Sequence, residues 1–383
     1  MDSSSLQQRL RDYTENYWDL VVGILTAGVA FWAHWYGLFT LVVPLAAIAI
    51  AVLSLTISEI ANIVSERLDE PYGSLVLTIS AVTVEIMLLF MLLIQGSDSS
   101  IATETVKGGI ISTIIVDMNV LLGLALFVGG LSYKEQTHNE DTSQSYTTIL
   151  LVTALILLVP SILSYTKHSA ETIRLASMLI GLLLFLFYIV ILIFQTRTHN
   201  HYFKPTVKKR TLHYRSNRRL EEEEEEKEYI FEKISNKVNF LIIFGLLLLI
   251  GFLAEIFAHD GLKMVNDNNI PIGLAGIIIA VISVMPEVFT AIRAAKNDQI
   301  QRVVNIAMGA STVSILITVP ILMLLVEFFG GELHLDFNPL QIGALIFTVI
   351  LAWKTTNEGA TDYLKGVAHL LFFVAFAIIA TLY

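Results

Sequence analysis

The chain has 383 residues, 55% of them hydrophobic, and a mean hydropathy of +0.70. That apolar content excludes a soluble domain of this length, and the lack of cysteine excludes disulfides, thiolate metal sites and cysteine catalysis. The formal net charge of −10 is unevenly spread, so the charge of individual loops says more than the total.

Residues 1–17 carry Arg9, Arg11, Asp12 and Glu15 without a signal-peptide cleavage pattern. They are expected to form a cytoplasmic tail, with room for a short helix on the membrane surface. Apolar runs then predict eleven transmembrane helices, at 18–36, 38–63, 71–95, 107–131, 146–165, 173–195, 237–258, 271–294, 300–328, 338–353 and 361–383. Gly37 argues for a break between the first two. The expected fold class is an all-α membrane protein.

Lysine and arginine placement sets the expected orientation. With the N-terminus inside, twenty of the twenty-four basic residues fall in inside segments. The outside segments hold only Lys107, Lys167, Arg174 and Lys263. This is the positive-inside pattern, and it puts the C-terminus outside. Five spans in 38–195 and five in 237–383 make the two halves insert in opposite senses. An inverted repeat follows from the counting, with the helix at 18–36 as an addition.

Residues 196–236 form the only long polar stretch, expected to be a cytoplasmic loop. Its basic block runs from Arg197 to Arg219 and its acidic block is Glu221, Glu222, Glu223, Glu224, Glu225 and Glu226. Like-charge blocks repel themselves and stay solvated, so the loop reads as a flexible linker whose basic half lies against anionic lipid. The sharper alternative is regulatory, with weak calcium loading on the glutamates. A contiguous Glu run lacks the spaced ligands and turn glycine of an EF-hand.

The stretch from Pro271 to Pro320 organises the rest. Glu287 stands well inside an apolar span, directly after Pro286, whose missing N–H leaves the Ile282 carbonyl without its helical partner. A carboxylate at membrane depth is costly and is a functional-site hypothesis by default, against the plainer reading of a structural acid paired on another helix. Pro71 to Gln95 echoes this stretch. Both segments open with Pro-x-Gly, place one Glu near mid-helix (Glu85 and Glu287) and precede a second long apolar segment. Internal repetition with acids in corresponding places marks transporter folds.

The helical neighbours of Glu85, namely Ala81, Val82, Leu88 and Leu89, cannot pair with it, so its partners must come from other helices. Ser283 and Thr290 share the face of Glu287; their hydroxyls either ligate a cation or bond back to the helix backbone, the latter being expected of Thr290. Asp117 is a ligand, a proton carrier or a helix–helix contact. Asn119, two residues on, points elsewhere on a regular helix. Asn305 and Ser311 read as helix–helix contacts. Glu59 and Glu255 lie near the ends of the spans that precede the two Glu-bearing helices, and read as gate carboxylates or as ordinary interfacial acids. His34, His259 and His369 are expected to be isolated and interfacial. The usual enzyme motifs are missing, and nothing points to a nucleic acid.

With these residues in hand, the chain resembles the cation/calcium exchanger superfamily. It is most similar to the bacterial calcium/sodium–proton antiporters of the calcium/proton exchanger group. The resemblance runs from about Leu38 to the end. The glutamates of the family's two Gly-Asn-Ala-x-Glu motifs fall on Glu85 and Glu287, and its outer carboxylates on Glu59 and Glu255. The family's Gly-Ser-Ser-Thr-Gln stretch matches Gly309-Ala310-Ser311-Thr312-Val313. Ala81-Val82 and Ser283-Val284 stand where the family has Gly-Asn, and Asp117 stands where no acid is expected.

The resemblance implies proton-coupled efflux of calcium or sodium by alternating access. Calcium asks for six to eight oxygens. Glu85, Glu287, Ser283, the Ile282 carbonyl and water supply a candidate set, with Asp117 and Asn119 beside them; a sodium site asks for less. An uncompensated charge in apolar surroundings is costly, so each glutamate is neutralised by a proton or by a cation. If one ligand must leave before the other binds, the same acids give obligatory antiport. No cofactor is implied beyond the transported ions, and the partners are the lipid bilayer and small inorganic cations, with a homo-oligomer left open. The expected location is a bacterial plasma membrane. Three rivals stand beside this reading: a sodium or potassium–proton antiporter with little calcium activity, an intramembrane hydrolase using Asp117 with a glutamate, and a cation channel.

Overall fold

Apolar runs this long have one stable form in a bilayer, because a helix satisfies every backbone group within its own segment. The computed structural model describes residues 17–68, 72–96, 100–203, 230–268 and 270–382. Among them are eleven helices long and apolar enough to cross a membrane. These are α1 (Trp18–Trp35), α2 (Phe39–Glu66), α3 (Tyr72–Gln95), α4 (Ser100–Tyr133), α5 (Glu140–Tyr165) and α6 (Ala170–Thr198). They continue as α7 (Asn236–Asp267), α8 (Ile272–Lys296), α9 (Ile300–Phe328), α10 (Pro339–Thr356) and α11 (Tyr363–Leu382). Gly37, at φ +70°, makes the expected break between α1 and α2.

Several helices run past their apolar stretch, and three of them start on polar caps. Asn139 accepts from the Asp141 amide, so α5 starts six residues before the expected Tyr146. Ser169 caps α6, and Asn338 with Gln341 forms a capping box ahead of Pro339 at the start of α10. In α4 the extension changes the standing of a charge. Lys107, expected at the outer end of its span, is two turns inside the helix and buried. Glu104 one turn away (3.0 Å) and Asp336 (2.6 Å) neutralise it there.

The chain divides into two compact units, one of residues 1–84 with 206–260, the other of residues 85–205 with 261–383. In the first unit α1 packs on α2, with Leu53 of α2 against Gly23 of α1. The buried Asp19 carboxylate accepts a hydrogen bond from Thr56 at 2.6 Å. Just past α2, the Arg67 guanidinium binds the Ile234 carbonyl (2.8 Å) and the Asn236 side chain (3.0 Å), next to the short helix Ile230–Lys233. The acidic run Glu221–Glu226 lies outside the described residues.

In the second unit α4 is the central helix. It packs against α8 on one side and α11 on another, and α9 and α10 meet α5. Small residues permit this, as expected where helices associate without a hydrophobic driving force. At the crossing of α4 and α8, the position of a side chain on Gly276 is already taken by the Gly108 backbone, 2.8 Å away. A two-stranded antiparallel ribbon, β1 (Glu135–Thr137) with β2 (Ala360–Asp362), joins the loops after α4 and α10. The core of the unit is formed by Leu121, Leu122 and Leu126 of α4, Val284 and Val288 of α8, and Val303 of α9, among others.

Two helices of this unit depart from α geometry midway. In α4 the residues Val116–Leu121 form a π-helical segment, and in α9 Ser314–Thr318 do. Such bulges widen the turn, release side chains from regular spacing and recur at functional sites.

Candidate functional site

The two π segments and the two glutamate helices supply one cluster of polar groups inside the second unit. Glu85 of α3 is 7% exposed. Its Oε2 accepts from Ser314 (3.0 Å) and Thr318 (2.7 Å), both in the π segment of α9. The partners do come from another helix. Asp117, 1% exposed, sits in the π segment of α4 and its Oδ2 accepts from Ser311 at 3.2 Å. Ser311, Ser314 and Thr318 follow one another at i, i+3 and i+7, so one face of α9 presents three hydroxyls to two carboxyls.

Glu287 completes the set. It is half-buried on α8, yet its Oε2 is enclosed and has no hydrogen-bond partner. Asp117 Oδ1 is enclosed and unpartnered in the same way. Glu85, Asp117 and Glu287 lie within electrostatic reach of one another. Leaving a buried acceptor unmade costs about 1–3 kcal/mol, more for a charged group, and a proton or a cation is what two orphaned carboxyl oxygens beside a third acid can take up.

The other expected site residues distribute differently. The Ser283 hydroxyl donates back to the Ala280 carbonyl at 3.0 Å, and Thr290 to Pro286 at 3.0 Å. Both take the backbone option. Ile282 is buried on α8, one turn before Pro286, and the helix runs unbroken through that proline. Asn119 turns to another partnership, donating to Thr348 of α10 at 2.9 Å and meeting His369 Nδ1 at 3.0 Å. His369 is therefore not interfacial. It is fully buried and also meets Thr355 at 2.7 Å. In the first unit Glu59 is half-buried on α2 and Glu255 is exposed on α7.

A cavity of about 440 Å³ opens elsewhere in the second unit, lined by Glu104, Ser112, Pro271, Asn338 and Gln341 among others. Ser112 stands on α4 a turn and a half before Asp117. The cavity gathers the N-terminal ends of α4, α8 and α10, and its wall includes Glu104, which pairs with Lys107.

Residues 34–197 and 238–382 match the family described as sodium/calcium exchanger protein. The chain belongs to this family. Its members are cation exchangers, secondary transporters rather than enzymes, and the hydrolase reading of Asp117 falls with that membership. Among relatives, the sodium-potassium/proton antiporter ChaA of Escherichia coli (strain K12) is 26% identical over 333 residues, covering 87% of this chain and 86% of its own. A Ca2+/H+ antiporter of Aphanothece halophytica is 25% identical over 357 residues, covering 91% and 87%. Among solved structures, that of native YfkE superposes with a TM-score of 0.77 at 18% identity, over 95% of this chain and all of the other. This likeness establishes the all-α membrane fold.

Within the exchanger family, the acids at 85 and 287 were legible as charges in apolar spans. The hydroxyl face of α9 was only partly so. Its signal is the spacing of Ser311, Ser314 and Thr318, of which sequence reasoning used Ser311 alone.

Proposed function

We propose that this exchanger moves calcium out of a bacterial cell in return for protons, with sodium as a second substrate. The cation and the protons alternate on Glu85, Asp117 and Glu287. The observation that carries this reading is the pair of enclosed, unpartnered carboxyl oxygens, Asp117 Oδ1 and Glu287 Oε2, beside a carboxyl held by two hydroxyls. Three carboxylates without basic partners repel one another in a low-dielectric site. A divalent cation relieves the repulsion with charge, and protons relieve it by neutralisation. The two states exclude each other, which is the coupling an antiporter needs.

Hard oxygen donors suit calcium and sodium rather than softer metals. Glu85 and Glu287 come from two matched helices, and Asp117 and the Ser314–Thr318 hydroxyls from two matched π segments. A shift of one helix pair against the other would open the set to one face at a time. The cavity beside Lys107 is, in the proposed orientation, the external approach. That orientation has the N-terminus cytoplasmic, the C-terminus external and two five-helix repeats of opposite sense. The charged loop at 196–236 acts in this proposal as a cytoplasmic linker, and Glu59 and Glu255 as cation-concentrating carboxylates at the two mouths.

A second reading, a sodium- or potassium-selective antiporter with little calcium activity, draws on the name of the Escherichia coli relative. Purified protein in vesicles loaded with a pH dye separates the two. Calcium, sodium and potassium are added in turn. Proton movement with calcium at lower concentration than with sodium is the expected result. Response to sodium and potassium alone selects the second reading, and ion current without proton movement means a channel and ends both.

A further inference from the structure

In the first unit, the end of α1 and the stretch of α7 at 259–260 bring together His34, His259 and Asp260. Two of these residues were expected to be isolated. Asp260 is 2% exposed, and both of its oxygens are engaged by histidine nitrogens from different helices. His34 Nδ1 lies 2.8 Å from Oδ2 and His259 Nδ1 lies 2.8 Å from Oδ1. The histidines themselves are open to solvent, 36% and 56% exposed, with ring centroids 5.9 Å apart. One ligand atom from each of the three residues lies within 4.8 Å of the others.

We propose that His34, His259 and Asp260 form a binding site for a divalent transition metal of the zinc class, separate from the transport site. Two imidazoles and a carboxylate with solvent on the open side are the donors of a three-residue zinc site with water as the fourth ligand. Metal–ligand bonds there are about 2.0–2.2 Å. Two ligand atoms bound to one tetrahedral ion lie roughly 3.3–3.5 Å apart, a figure that follows from those bond lengths. The present 2.8 Å contacts, each to a different carboxylate oxygen, would open by about half an ångström, and the remaining separations, within 4.8 Å, would close onto the ion as the two exposed rings rotate. The imidazole nitrogens select against calcium and sodium, which take oxygen donors. The buried carboxylate anchors the site, and the metal would clip the end of α1 to α7.

The test uses the full-length protein, purified in detergent through a tag without histidines and freed of metal with a chelator. Zn2+ is titrated against wild type, His34→Gln, His34→Gln/His259→Gln and Asp260→Asn. Glutamine keeps hydrogen-bonding capacity at two exposed positions, so the histidine variants should stay monodisperse. The wild type is expected to bind one equivalent more tightly than the histidine variants. Loss of a ligand should weaken that equivalent by at least the roughly 10–100-fold known for outer-shell partners. Zn2+ should also raise the melting temperature of the wild type and leave that of His34→Gln unchanged, since a ligand of the native state stabilises it by mass action. Co2+ bound in its place should show the visible d–d bands of a tetrahedral ion, absent in the double variant. Equal Zn2+ affinity and equal thermal shift in wild type and the double histidine variant would overturn the proposal, and would leave a hydrogen-bonded His–Asp–His cluster.

Discussion

Thr318 donates a hydrogen bond to Glu85 Oε2 at 2.7 Å, joining residues 233 positions apart in the chain. The bond ties the acid of the first half to the π segment of α9 in the second. Ser314 does the same at 3.0 Å from four residues earlier. A carboxyl that accepts two hydroxyl protons is held in one rotamer and cannot swing freely between faces.

The first prediction concerns that bond. Thr318→Val keeps the shape and removes the donor. A hydrogen bond to a charged group contributes about 1.5–3 kcal/mol, and about 1.4 kcal/mol is tenfold in affinity. The half-saturating cation concentration for exchange should rise roughly 10–100-fold, with a smaller change in maximal rate. A cation titration of vesicle transport reads this directly. Unchanged affinity would mean that the hydroxyl supports the fold and not the cation.

These positions also show where sequence reasoning reached its limit. Glu85, Asp117 and Glu287 stood out because a charge in an apolar span has few structural excuses. Which residues face them depends on α4 and α9 each leaving regular geometry, at Val116–Leu121 and Ser314–Thr318. A π segment has no composition signature, so the hydroxyl partners of Glu85 could be required but not named. Ser283 went to its own backbone because local bonds compete with distant ligands at little entropic cost, whereas Asn119 went to Thr348 and His369, more than two hundred residues away, a pairing set by tertiary packing. The eleven spans were visible from hydropathy alone. Their polar ends were not, since capping by Asn139 and ion pairing of Lys107 extend helices beyond the apolar run. His34 and His259 met because the end of α1 lies beside α7 two turns before α7 ends, a tertiary fact with no trace in either segment.

A stability prediction follows from the crossing of α4 and α11. A Cβ on Gly366 would lie 2.4 Å from the Phe127 amide nitrogen and 2.7 Å from the Gly123 carbonyl oxygen. These are backbone atoms, so the helices themselves would have to separate. Gly366→Ala should cost about 1–3 kcal/mol, as overpacking of a tight core does. Gly245→Ala is the control, because nothing lies within 4 Å of its added carbon. Melting in detergent should fall clearly for the first variant and hold or rise for the second.

Topology gives a third test. The helices α7 to α11 are five spans, so a tag inserted among residues 204–229 and a tag after Tyr383 should lie on opposite faces. The basic residues of that segment are expected to put it in the cytoplasm under the positive-inside pattern. Protease or thiol-label accessibility in sealed cells reads both positions. Both tags on one side would remove the inverted repeat and the proposed external approach through the Lys107 cavity.

The sharpest prediction concerns the three acids. Gln at 85 or 287 keeps size and most hydrogen bonding but carries no charge and releases no proton. Glu85→Gln and Glu287→Gln should each abolish exchange while leaving melting near that of wild type, because removing a buried charge does not itself destabilise a protein. Glu→Asp at either position withdraws the carboxyl by one methylene, so partial activity with weakened cation affinity is expected. Asp117→Asn should be as severe as the Glu→Gln changes, since Oδ1 of Asp117 is enclosed, unpartnered and within electrostatic reach of both glutamates. Ser311→Ala, which removes only the 3.2 Å bond to Oδ2, should be milder. Vesicle exchange assays on these variants, each checked for membrane insertion, decide the matter. Coupled exchange persisting in both Glu→Gln variants would sink the site. Loss on those changes together with full activity in Asp117→Asn would reduce Asp117 to a helix contact.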